Sequence, residues 1–337
     1  MARKTVKNTN SKTASKASTK ASTKAEVKTK AKTKVTSKSK TPPKKVTRKA
    51  STAPKPKTTK RKTRVTSTKA PKKSASKTST SKKTVSKKSV SKQAIPAKAV
   101  DVTLIVNAHA EGSILIPTLK SAKMAVSKAR DAGLSVEFLL IADNPNAETL
   151  DLVKLLSPEY GFTVKEVAVK DLGLARNEGL KFAAGEIIAF MDGDDLMSEN
   201  WLLQGFRVAK RLGPKVVLHP EMNYLFGNGQ TYIYLHRDMD SPAFDKRVLA
   251  LQNYWTALTI GHRETYEKYP YEPNTMKDGW GYEDWGWNIL TISEGIKHKT
   301  VPNTIHYIRK KKTGSLLDET LANNCLPRLY PLQKVIA

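Results

Sequence analysis

The chain has 337 residues and a formal net charge of +30. Residues 1–100 hold 33 Lys plus Arg and one acid, Glu26, while residues 101–337 come to a net charge of −2. This division excludes one uniformly basic globule, and the lone cysteine, Cys325, excludes an intrachain disulfide.

Residues 1–100 contain no Phe, Trp, Tyr, Leu or His. So little apolar surface cannot offset the ordering entropy of a chain, so a disordered Lys/Ser/Thr/Ala/Pro-rich tail is expected there. The remaining 101–337 carry all the aromatics and are long enough for one domain with a sizeable core. No apolar run approaches the roughly 18–20 residues of a membrane span. The basic N-terminus has no apolar stretch behind it, so it does not read as a secretory signal. A reducing, cytoplasmic setting is expected, at a membrane periphery or on nucleic acid.

In the second part Val102 to Val106 reads as a buried strand, followed by a helix over about 114–132 that stops at Gly133. Val136 to Ile141 is a second strand, and a helix over about 146–156 follows. Phe162 to Val169 is a third strand, and a helix over about 172–184 closes at Gly185. A fourth strand, Glu186 to Met191, precedes a helix with Ser198 as its expected N-cap. Met222–Phe226, Gly227-Asn228-Gly229 and Thr231–Leu235 read as a β-hairpin. Residues 279–287 read as a Trp- and Gly-rich loop. Alternating strands and long helices imply an α/β fold with a mostly parallel, doubly wound sheet. Ligands of such sheets bind beyond the carboxyl ends of the strands, where Asp143 and Asp192 fall.

The fourth strand runs straight into Asp192-Gly193-Asp194-Asp195. Three carboxylates in four positions repel unless a cation intervenes. A hard divalent ion takes carboxylate oxygens together with substrate phosphates, whereas the plain reading is a solvated acidic turn. Upstream lies Leu174-Ala175-Arg176-Asn177-Glu178-Gly179, and downstream Gly281-Tyr282-Glu283-Asp284-Trp285-Gly286-Trp287. In order and spacing these motifs resemble the family 2 glycosyltransferases of the GT-A fold, over about 103–315.

The resemblance implies an inverting, metal-dependent transferase that moves a sugar from a nucleotide sugar to a hydroxyl acceptor, as in polysaccharide biosynthesis. It places Asn107, His109, Glu111 and Asp143 in the nucleotide pocket, with Asp143 accepting from the base. Arg176 would face the diphosphate and Asp192 the ribose or the metal. Mn²⁺ or Mg²⁺ would be held by Asp192 and Asp194. His306 is either a third metal ligand or a histidine satisfied by a backbone partner. Asp284 would be the general base, with Glu283 and Trp285 on the acceptor side. Trp280, Trp285 and Trp287 either stack on a sugar or pack in the core. Lys310-Lys311-Lys312 is either a phosphate-facing loop or a solvated face. Asp143 precedes Asn144-Pro145-Asn146, where the family usually shows D-D-G-S-T-D, which leaves the donor base open.

The tail is similar in composition to linker-histone tails. A flexible polycation binds polyanions, nucleic acid or anionic membrane surfaces, through counterion release. It lacks aromatics to stack on bases and an apolar face to enter lipid, so it localises without selecting. The competing reading is a non-catalytic, histone-like nucleic-acid-binding protein with a degenerate GT-A domain.

Overall fold

The computed structural model describes residues 99–229 and 231–336. The tail expected over 1–100 therefore lies, except for its last two residues, outside the described residues. Nine strands form one sheet: β1 Val102–Ala108, β2 Val136–Asp143, β3 Thr163–Val167, β4 Ile187–Asp192, β5 Leu196–Met197, β6 Val216–Phe226, β7 Tyr232–Leu235, β8 Thr259–His262 and β9 Lys297–Arg309. Eight helices accompany them: α1 Leu115–Asp131, α2 Ala147–Tyr160, α3 Leu172–Phe182, α4 Trp201–Leu212, α5 Arg263–Lys268, α6 Glu283–Ser293, α7 Leu316–Ala322 and α8 Leu332–Ile336.

The sheet order is β3-β2-β1-β4-β8-β6-β9-β5, with β7 hydrogen-bonded to β6. Parallel ladders join β1–β2, β1–β4, β2–β3 and β6–β9, and they hold most of the paired residues. Short antiparallel ladders at β4–β8, β6–β8, β5–β9 and β6–β7 make the second half of the sheet mixed.

Strands buried on both faces read as continuous apolar runs, and alternation then divides their side chains between two cores. Leu104 and Val106 of β1 meet Leu115, Leu119 and Val126 of α1 on one face. Ile105, Leu139, Ile141, Ile188 and Phe190 meet Ala175 and Leu180 of α3 on the other. A third cluster gathers Leu249, Trp255, Ile289, Ile292, Leu332 and Val335.

Local signals set several boundaries. Asn146 caps α2 by accepting from Thr149 N at 2.9 Å, and Gly161 ends it in the left-handed region at φ 70°. The expected β6–β7 hairpin forms, with Met222 opposite Leu235 and Leu225 opposite Tyr232.

Three boundaries differ from the sequence reading. Ser198 does not cap α4: its hydroxyl accepts from Ile305 N at 3.0 Å, and Asn200 takes the cap position. Residues from Glu283 onward are helical rather than loop, started by Tyr282 at φ 56°. Helix α3 ends at Phe182, and Gly185 serves packing instead, because a Cβ there would lie 2.4 Å from Thr103 N. Gly185→Ala should therefore cost about 2–3 kcal/mol, because backbone cannot rotate out of the way. A urea midpoint shift worth less than about 0.5 kcal/mol would show that β1 gives way freely.

β9 carries one irregularity. Pro220 pairs with Val301 and Met222 with Ile305, so one residue of β6 faces three of β9. Asn303 turns through φ 59°, and its N–H donates to Glu221 Oε2 at 2.8 Å.

Candidate functional site

Strands β1, β2 and β4 are in parallel register, so Ala108, Asp143 and Asp192 come to the same edge of the sheet. A cleft of about 900 Å³ opens there, lined among others by Asn107, His109, Asp143, Asp192, Asp194 and Lys311.

Asn107 is 3% exposed, and neither its side-chain oxygen nor its nitrogen has a hydrogen-bond partner. A buried amide without partners costs free energy. The His109 ring donates from Nδ1 to the Asp143 carbonyl at 2.6 Å, since a carbonyl can only accept. The His109 backbone N–H donates to Glu111 Oε2 at 2.6 Å. Asp143 spends its carboxylate on the turn beside it, accepting from the N–H groups of Val169, Lys170 and Asp171 at 2.8, 3.0 and 3.1 Å. It shapes the cleft wall, and Lys170 is held at φ 55° above it.

Each acid of the turn has a partner within the protein, so a bound cation is not the only way to make the cluster tolerable. Asp192 Oδ1 accepts from Arg176 Nη2 at 2.8 Å. Asp194 Oδ2 lies 2.7 Å from Lys311 Nζ. Asp195 accepts from Arg309 N at 2.8 Å and from His306 Nε2 at 2.9 Å. Arg309 Nε also donates to the Asp194 carbonyl at 3.0 Å. Burial pushes the Asp194 carboxyl up to about 6, helped by Asp195 and opposed by Lys311.

Arg176 differs from the sequence expectation. Its side chain is 0% exposed and does not reach the cleft surface. One arm holds Asp192, the other holds Glu283 Oε1 at 2.9 Å, and the ring of Tyr271 lies 5.1 Å from the guanidinium carbon. Burial opposes its charge, but Asp192 and Glu283 outweigh it and hold the proton more tightly than in an ordinary arginine. Arg176 thus clamps α3 to β4 and to the start of α6. Glu283 completes the clamp by accepting from Asn274 Nδ2 at 3.1 Å.

His306 also differs. Nε2 meets Asp195, and Nδ1 lies 2.9 Å from Thr256 Oγ1. In the neutral ring Nε2 donates and Nδ1 accepts, and in the charged ring both donate. Neither state leaves a lone pair for a metal. Asp192, Asp194 and His306 do not assemble: among the described residues no group of three or more His, Cys, Asp or Glu could hold an ion.

Asp284 sits in the first turn of α6. Oδ1 accepts from Trp285 N at 2.7 Å and Oδ2 from Asn253 Nδ2 at 3.3 Å. Burial raises its carboxyl to about 7; Glu283 adds to the rise and Arg176 opposes it. Trp285 donates from Nε1 to the Leu249 carbonyl at 3.0 Å and packs against the third core, so it is a wall residue rather than a free sugar platform. Trp287 is stacked between Tyr266 and Tyr271 and is likewise core. Trp280 remains 37% exposed, with the Arg328 guanidinium over its ring.

Sequence reasoning missed Arg309, Thr256, Asn253 and Asn274 and did not pair Lys311. The one available signal was Arg309 and Lys311 two positions apart at a strand end, the spacing of one strand face. Among the described residues no helix is long and apolar enough to cross a membrane.

Among curated proteins none matches the chain significantly. The structure is similar to that of S. aureus TarS residues 1–349 in complex with UDP-GlcNAc: 15% identity, 65% of this chain, 61% of that chain and a TM-score of 0.50. It is also similar to GalNAc-T7 with UDP, GalNAc and Mn²⁺: 21% identity, 68% of this chain, 47% of that one and a TM-score of 0.49. The chain thus spans less than two thirds of either structure's own length. At such identity the TarS likeness speaks for the fold, which is GT-A. The model of the family described as glycosyl transferase family 2 matches residues 103–273, so Glu283, Asp284 and His306 lie beyond the matched segment. That match spans just over half of the 337 residues, and the chain belongs to glycosyl transferase family 2.

Proposed function

We propose that residues 101–337 form a transferase domain that moves a sugar from a nucleotide sugar to a hydroxyl acceptor with inversion, and that residues 1–100 hold it on a polyanion. The observation that carries this reading is the linkage of two acidic sites by one buried guanidinium. Arg176 joins Asp192, on the cleft wall, to Glu283, the neighbour of Asp284.

The cleft volume of about 900 Å³ falls in the range of small-molecule sites, and Asn107 is among the residues that line it. We assign the nucleotide to this end of β1 and β2, with His109, Glu111 and Asp143 shaping its walls. Asp284 takes the acceptor's proton as that oxygen attacks the anomeric carbon. A carboxyl raised to about 7 suits that task near neutral pH. Displacement from the face opposite the leaving group inverts the anomeric centre.

The donor set fits a hard divalent cation. Asp192 and Asp194 line the cleft with carboxylate oxygens, and Mn²⁺ or Mg²⁺ binds through one or two carboxylates plus phosphates. His306 does not fit. A cation held there would offset the charge that develops on the departing diphosphate. The glycan or other hydroxyl acceptor approaches from the side of Asp284 and Asn253. The tail brings the domain to a polyanionic acceptor, either nucleic acid with hydroxylated bases or a surface glycan.

The test is a thermal-shift screen of nucleotide sugars with Mn²⁺ and with chelator, with UDP sugars first because TarS was seen with UDP-GlcNAc. One nucleotide should stabilise the protein, and Asp194→Ala should weaken that donor at least about tenfold in Mn²⁺ while leaving the fold intact. Equal donor affinity in the variant sinks the assignment of Asp194. Deletion of the tail should leave donor binding unchanged.

A further inference from the structure

Each acid of the 192–195 turn has its own partner, and the three partners differ in kind. Arg176 is wholly buried and shared with Glu283. Asp195 is held by a backbone N–H and a buried imidazole. Lys311 alone is a single ammonium on a flexible four-carbon stem that lines the cleft, 22% exposed, against an equally accessible Asp194 at 21%.

The root of that stem is fixed. Lys310 N donates to the Phe226 carbonyl at 2.7 Å, closing the end of β9 onto β6. Arg309 is held to the turn by its N–H and its Nε, and its guanidinium lies 4.8 Å from the centre of the Phe226 ring. A Cβ on Gly227 would lie 2.8 Å from the Lys310 carbonyl, so the two chain segments are in close contact. Lys311 is therefore delivered to the turn by a built strand end, unlike a lysine on a solvated face.

A divalent ion at the turn needs the Asp194 oxygens, and one of them already faces Lys311. Cation and ammonium compete for the same carboxylate. A displaced ammonium has a short swing into the cleft, where negative charge from a phosphate can take it up. Burial works against the Lys311 charge, but Asp194, Glu111 and Asp195 outweigh it and keep the group protonated.

We propose that Lys311 is the resident cation of the donor site: it neutralises Asp194 when no divalent ion is bound and turns to the donor diphosphate when one is. The diphosphate half rests on the transferase reading above; the competition with metal does not. Lys311 is a positioning residue by the first role and a substrate contact by the second.

The test uses the full chain as wild type, Lys311→Met and Lys311→Arg. Free Mn²⁺ is first titrated by electron paramagnetic resonance without nucleotide. The Met variant should bind Mn²⁺ about five- to tenfold more tightly than wild type, with Arg near wild type. The same affinity in all three, including none, overturns the competition. UDP and GDP are then titrated calorimetrically with chelator and with Mn²⁺. Wild type and Arg should bind one of them in Mn²⁺, and Met should bind it about tenfold more weakly in Mn²⁺. Undiminished binding by Met overturns the diphosphate half. If wild type binds neither nucleotide, the transferase reading falls together with that half, while the Mn²⁺ titration still decides the competition.

Discussion

Asp284→Asn should abolish transfer while leaving donor binding intact. The amide has nearly the same shape as the carboxylate, and its oxygen can still accept from Trp285 N, which now lies 2.7 Å from Oδ1. What it loses is the ability to take a proton, together with the acceptor that Oδ2 gives Asn253 Nδ2. Positioned general bases contribute about 10²–10⁴-fold, so kcat should fall by about 10³. The wild-type rate should rise through about pH 7 as Asp284 deprotonates. The same group tilts stability with pH. Its folded-state value lies above the ordinary carboxylate range, so the folded protein binds this proton more tightly than the unfolded chain. The resulting stability is present at low pH and is lost as pH rises from about 4 to about 7. Asp284→Asn removes that dependence, so its melting temperature should gain on wild type between pH 5 and pH 8, by up to about 2–3 kcal/mol of relative stability. A kcat loss under about tenfold removes Asp284 as the base. A melting difference that does not change with pH removes the physical account of its raised proton affinity.

Arg176→Met should be the most damaging single change in the described residues. It leaves Glu283, 6% exposed, and Asp192, 21% exposed, without their shared counter-charge. Breaking a buried pair from one side costs about 3–5 kcal/mol, a large part of a typical domain's total of about 5–15 kcal/mol. Lysine should not rescue it, because a single ammonium cannot span two carboxylates as the guanidinium fork does. The double variant Arg176→Met/Glu283→Gln should recover part of the loss, since it removes the more deeply buried orphan charge. Urea unfolding of wild type, Arg176→Met, Glu283→Gln and the double variant completes the cycle. A single-variant loss below about 1 kcal/mol, the value of an exposed pair, would contradict the clamp.

Much of the fold was legible because the physics that sets it is local. β1, β2 and β4 are largely apolar runs, and alternation divides them between two cores. Gly133, Gly161 and Asn146 sit where helix ends need them. The hairpin around Gly227-Asn228-Gly229 was plain from its turn residues. Helix α6 was not legible, because Gly281, Gly286 and three tryptophans look like a loop until the side chains find cores to fill. Ser198 looked like a cap because its competing partner, Ile305 N, is 107 residues away.

The site followed the same rule. Residue types and spacing pointed to Asp192, Asp194 and Asp284, which all lie at ends of elements. Burial decided the rest. Arg176 has the chemistry of a diphosphate ligand but lies in the interior, where two carboxylates claim it. His306 has the chemistry of a metal ligand, but Thr256 and Asp195 occupy both nitrogens. Such pairings span up to 111 positions, and local patterns carry no trace of them.

The irregularity between β6 and β9 bears on which length changes this gene can survive. Beyond Pro220 and Val301 the second strand runs two residues ahead of the first. Two is a full strand period, so His306 still points to Asp195, and Arg309 and Lys311 still reach the acidic turn. Loss or gain of one codon between Val301 and Ile305 would put Ile305 or Tyr307 where the imidazole belongs and turn the basic end of the strand away. Loss or gain of two would restore the phase. Length in this stretch is thus quantised in pairs, and natural variants should differ there by even numbers of residues.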